Sequence, residues 1–156
     1  MNQKLETSVQ SKIHEDLSPT RNLSGVHLKI VAAIAIIWSL FQLWYASPFP
    51  FMFNIGMFKG LPARAIHLGF ALTLAFLIFP AVRGKKISVF DILISITAAL
   101  CCLYIYFFYD DLVNRGGILL VKEIFGFKVP VELIIGATGI LILLEATRRA
   151  IGLPLV

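Results

Sequence analysis

The chain has 156 residues, of which 58% are hydrophobic and only 15% charged, with a formal net charge of +5. Soluble domains hold roughly 45–50% apolar and about 25% charged residues, so an ordinary water-soluble globular domain is excluded. The positive charges flank apolar runs and form no dense block, which points to a membrane surface and away from nucleic acid.

Residues 1–27 read as a polar, flexible cytoplasmic tail. They lack the short apolar core and small-residue cleavage site of a signal peptide, so the first apolar run is expected to be an uncleaved membrane helix. That run extends from about Leu28 to Ser47. Trp44 and Tyr45 lie at its far end, where aromatic rings favour the headgroup level, and Pro48 and Pro50 stop it. The aromatic stretch from Phe49 to Gly60 is too short to span and reads as an interfacial loop or half-buried helix.

Three further runs follow, at about 65–82, 87–109 and 130–147. Each is near the roughly 20 residues that cross a hydrocarbon core. Asp91 and Glu132 fall near helix N-termini, where the backbone dipole favours an anion. Residues 110–129 read as a connection: Asp110 and Asp111 open a solvated loop, and an apolar stripe from Leu119 to Phe127 suits a membrane surface. The fold class is therefore all-α, an integral membrane bundle of about four transmembrane helices spanning 28–147.

Charge assigns the orientation. Lys4, Lys12, Arg21, Lys29, Arg83, Lys85, Lys86, Arg148 and Arg149 fall on one face; Lys59, Arg64, Arg115, Lys122 and Lys128 fall on the other. Lys and Arg accumulate on the cytoplasmic side, so both termini are expected inside. Small residues four apart, Gly69 and Thr73, Ser95 and Ala99, Ala98 and Cys102, are candidate close-packing points. Gly136 and Gly139 are candidates on the fourth run.

Ionisable groups at membrane depth cost roughly 2.5–3.5 kcal/mol at a helix centre, and five residues stand out. Glu145 and Arg149 are spaced i, i+4 on one helix face, with Arg148 between them. They read either as an interfacial ion pair that closes the helix or as a docking contact to another helix or subunit. Arg64 and His67, one turn apart, read as an interfacial cluster or a second contact point. A metal site needs more ligands than these. Adjacent Cys101 and Cys102 lie in an apolar run and read as packing residues. No phosphate loop, nucleophile elbow or zinc-protease motif occurs, so no catalytic residue, cofactor or metal is expected and the chain does not read as an enzyme.

Two strings carry a resemblance. Arg64-Ala65-Ile66-His67-Leu68-Gly69-Phe70 opens the second run, and Leu144-Glu145-Ala146-Thr147-Arg148-Arg149-Ala150-Ile151-Gly152 ends the fourth. With a basic turn and an aromatic third run between them, the chain from about Leu28 onward resembles the N-terminal, small-subunit region of the fused permease of tripartite ATP-independent periplasmic (TRAP) transporters, in the TAXI-associated branch. The resemblance implies a scaffold in the inner membrane for a large transport part that works by ion-driven symport. It also implies an extracytoplasmic TAXI-type binding protein that delivers organic acids or amino acids. Residues 148–156 are then the start of a continuation towards the large part, cut off at Val156. Arg64, His67, Glu145, Arg148 and Arg149 become the candidate subunit contacts. A free-standing four-helix adaptor is the competing expectation.

Overall fold

The structure, a computed structural model, describes residues 20–21, 23–58, 60–81, 87–116, 118–124 and 127–151, with the backbone alone for 122–124 and 127–128. The elements in chain order are α1 (Gly25–Ala46), α2 (Phe49–Phe53), α3 (Gly60–Ile78), α4 (Val89–Asn114), β1 (Val121–Ile124), β2 (Phe127–Pro130) and α5 (Val131–Ile151). The basic turn at 83–86, most of the N-terminal tail and residues 152–156 lie outside the described residues.

Among the described residues, α1, α3 and α4 are long and apolar enough to cross a membrane. The protein is thus a multi-pass membrane protein. The fourth expected span differs. Glu132 and Glu145 bracket the apolar part of α5, and Arg148 and Arg149 follow. The uncharged stretch between the two carboxylates covers about 20 Å of helix axis, against roughly 30 Å of hydrocarbon.

Several boundaries move for local reasons. The first helix begins at Gly25, inside the segment read as tail. Ser88 and Asp91 form a capping box that starts α4, because a Ser hydroxyl and an acid three residues on satisfy two orphan amides reciprocally. The same helix continues through Asp110 and Asp111 to Asn114, so these two belong to its last turns and not to a loop. Pro48 precedes α2, which ends at Asn54 with φ 53°, a left-handed conformation that Asn tolerates. The connection after α4 is an antiparallel hairpin, Val121 facing Pro130 and Ile124 facing Phe127. Pro130 closes β2 and is not the first residue of the helix.

The bundle is built around α3, which packs against α1, α4 and α5; α4 also packs on α5. Chain direction alternates along this series. One core cluster joins Leu72, Phe76, Ala98, Cys102, Ile142 and Ala146; a second joins Val31, Leu74 and Leu77. In lipid, apolar burial brings little hydrophobic driving force, and close packing with polar contacts between helices takes its place. Gly69 shows this. A Cβ added there would lie 3.2 Å from Cys102 Cβ, so the absent side chain is what lets α3 and α4 meet. Thr73 turns its hydroxyl back to the Gly69 carbonyl at 2.7 Å. Gly136 and Gly139 differ: an added Cβ would meet nothing within 4 Å, so among the described residues of this chain no helix packs closely on either.

Candidate functional site, an ion network at one end of the bundle

The last turn of α3, the first turn of α4 and the last turns of α5 converge at one end. Asp91, held inward by the capping box, is the centre. Arg149 donates from Nη1 to Asp91 Oδ1 at 2.7 Å, and Arg21 donates from Nη2 to Asp91 Oδ2 at 2.7 Å. Arg21 also donates from Nη1 to the Leu77 carbonyl at 3.0 Å and from its backbone N–H to the Ile78 carbonyl at 2.8 Å. The segment before α1 is thereby fastened to the end of α3.

Glu145 extends the network outward. It accepts from Arg149 Nε at 2.7 Å and from Arg148 Nε and Nη2, each at 2.7 Å. The two arginines differ in surroundings. Arg149's side chain is 1% exposed, whereas that of Arg148 is 37% exposed. The Arg149 guanidinium also lies 5.0 Å from the ring centroid of Phe76, which is fully buried. A delocalised cation over an aromatic face is favourable in a desolvated setting. Arg149 Nη2 is buried and has no hydrogen-bond partner among the described residues.

The structure brings Glu145, Arg148 and Arg149 together as their spacing predicted, and adds Asp91 and Arg21. The Ser88-x-x-Asp91 pattern ahead of an apolar run was a legible capping signal. Nothing local in the sequence marked Arg21, since its partners are 56 and 70 residues away.

Arg64 and His67 lie apart from this network. Arg64 is exposed. His67 faces α1: Trp38 Nε1 donates to its Nδ1 at 3.3 Å, and Gln42 Nε2 lies 3.2 Å from the same atom. An indole N–H only donates, so Nδ1 is the acceptor in the contact with Trp38. Trp38 and His67 also meet edge to face at 5.0 Å. His67 thus ties α1 to α3.

A second ion pair closes the opposite end. Arg115, just after α4, pairs with Glu132, whose other oxygen accepts from the Leu120 N–H at 3.0 Å. Aromatic rings bridge elements at this end, Phe41 to Phe58 at 5.5 Å and Phe58 to Tyr106 at 6.0 Å. Cys101 and Cys102 are free thiols. Among the described residues, no three His, Cys, Asp or Glu side chains gather to hold a metal ion.

The network's chemistry is mechanical. Two carboxylates and three guanidinium groups join the segment before α1, the start of α4 and the end of α5, which lie far apart in the chain, and Arg148 is presented at the rim. No family model, no curated protein and no solved structure matches this chain.

Proposed function

We propose that this chain is the small-subunit region of a TRAP-type secondary transporter of the inner membrane, scaffolding a large transport part. In this reading both termini are cytoplasmic and α5 makes a fourth crossing. The observation that carries the proposal is the double use of the Glu145-Ala-Thr-Arg148-Arg149 string, the most specific part of the resemblance. Arg149 turns inward to Asp91 and rigidifies the bundle, while Arg148 stays at the rim, where a neighbouring membrane part can reach it. A rigid frame with an outward cation suits a scaffold.

Two further features support the reading. The charges of α5 are paired at both ends, with Arg115 on Glu132 and with Arg148 and Arg149 on Glu145. Pairing lowers the cost of placing them close to the hydrocarbon. The outer faces of α1 and α5 leave large apolar side chains uncovered, among them Ile36, Leu40, Leu43, Ile140 and Leu141, which lipid or another apolar helix can cover.

The test is isolation of the protein from its source membranes through a tag near Met1, followed by mass measurement and identification of co-isolated chains. A longer polypeptide, or a large multi-helix partner together with an extracytoplasmic binding protein, is the expected result. Isolation at 17.3 kDa with no such partner would reject the proposal in favour of a free-standing adaptor.

A further inference from the structure

α4 and α5 differ in how well their apolar stretches match a bilayer. α4 runs from Ile92 to Tyr109 without a charged side chain, about 27 Å of helix axis, against roughly 30 Å of hydrocarbon. α5 has 21 residues, but Glu132 and Glu145 enclose its uncharged stretch, 133–144. That stretch is too short to span by itself.

The charges at the helix ends are arranged to answer one another. Each helix has its acid in the first turn, Asp91 in α4 and Glu132 in α5. Bases stand at the other ends, Arg115 directly after α4 and Arg149 in the last turn of α5. These are the signs that a helix dipole favours at those ends. The two helices are antiparallel, so the acid of each meets the base of the other. Arg149 donates to Asp91 at 2.7 Å at one end, and Arg115 pairs with Glu132 at the opposite end. The side chains of Asp91, Glu132 and Arg149 are 2%, 6% and 1% exposed. Between the two pairs, Ala98 and Cys102 of α4 pack with Ile142 and Ala146 of α5.

We infer that α5 crosses the membrane only as the partner of α4, with Asp91 and Arg115 supplying the opposite charges at its two ends. The inference rests on the reading of α5 as a fourth crossing and adds the condition for it. Ionisable groups at membrane depth pair with one another. Glu145 already pairs with Arg148 and Arg149 inside α5. The base on Glu132 and the second carboxylate on Arg149 both come from the α4 side. α4 precedes α5 in the chain, so both partners are in place before α5 arrives.

The test fuses a reporter after Val156 of the full chain in a bacterial inner membrane. Alkaline phosphatase reports an outside terminus and green fluorescent protein an inside one, each normalised to the fusion synthesised in a short pulse. The unmodified chain is expected to keep the terminus inside. Asp91→Asn and Arg115→Gln lie off α5 and leave its hydropathy untouched. An acid counts little in orientation, and loss of an outer base does not oppose the expected one. Each is nevertheless expected to raise the outside-to-inside ratio at least about fivefold. Asp91 also holds Arg21, so Arg115→Gln reads the dependence at the end where Arg21 plays no part. Adding Glu132→Gln to Arg115→Gln should bring the ratio back. Arg64→Gln, which removes an exposed base from the same side as Arg115, should leave it unchanged. An inside terminus in every variant overturns the inference and leaves the four-crossing reading standing. An outside terminus in the unmodified chain overturns both. A response to Arg64→Gln equal to that of Arg115→Gln also overturns the inference, because loss of any outer base would then suffice.

Discussion

Arg149 and Asp91 meet across the bundle, 58 positions apart in the chain, with their side chains 1% and 2% exposed and Nη1 2.7 Å from Oδ1. The contact joins the last turn of α5 to the first turn of α4. It is the innermost link of a series that runs from Arg21 through Asp91, Arg149 and Glu145 to Arg148.

Breaking that link removes a charge-assisted contact from a buried group. Asp91→Ala takes the shared buried carboxylate from both Arg21 and Arg149, leaving Arg149 with Glu145 alone as its acidic partner, and is expected to destabilise the bundle by about 3–5 kcal/mol. Replacing both members, Asp91→Leu with Arg149→Leu, should recover a large part of the loss, because a well-packed apolar pair often matches a buried ion pair. Unfolding of the detergent-solubilised protein, followed by circular dichroism as a four-member mutant cycle, measures both values.

Arg148 and Arg149 are adjacent yet should behave differently. Arg148→Ala removes a partly exposed pairing and is expected to cost no more than about 1 kcal/mol of stability. Arg149→Ala removes a buried one and should approach the loss seen for Asp91→Ala. If the scaffold reading is right, Arg148→Ala also weakens co-isolation of the large part while leaving the melting curve nearly unchanged. Equal melting losses for the two variants would contradict this division of labour.

The glycines separate in the same way. Gly69→Val drives a side chain into Cys102 Cβ, already 3.2 Å from the bare Cβ position, and is expected to cost about 1–3 kcal/mol. Cys102→Gly should relieve part of that cost, since it removes the atom in conflict, whereas Cys102→Ala should not. Gly136→Ala and Gly139→Ala meet open space and should be neutral or stabilising by up to about 1 kcal/mol, through helix propensity alone. Thermal unfolding of the set ranks them.

At the other end, Glu132 holds both Arg115 and the backbone of Leu120. Glu132→Ala should leave the Leu120 N–H without its acceptor and speed its hydrogen exchange, with the amides of α3 unchanged. Hydrogen exchange with mass spectrometry reads this directly. Unaltered exchange at Leu120 would show that the carboxylate does not secure the hairpin.

The amino-acid sequence alone determined that the chain is a membrane protein, where three of its crossings lie, and that Glu145 falls within reach of Arg148 and Arg149. Each follows from one-dimensional information: the length of an apolar run against the thickness of hydrocarbon, and helical spacing that places i and i+4 on one face. The close approach at Gly69 and Thr73 was legible as a small-residue pair, but the same signal at Gly136 and Gly139 meets no described helix of this chain. Which face of a helix meets a neighbour depends on how all the helices rotate together, and spacing alone does not fix that rotation. Only the tertiary structure decided that Arg21, on a segment that reads as a tail, reaches Asp91, that Asp91 accepts a second guanidinium from α5, and that His67 turns to Trp38. These partners lie 29 to 70 residues apart, and contacts at that separation arise from packing α1, α4 and α5 around α3, where a buried charge must find its counterion in whichever helix the bundle brings beside it.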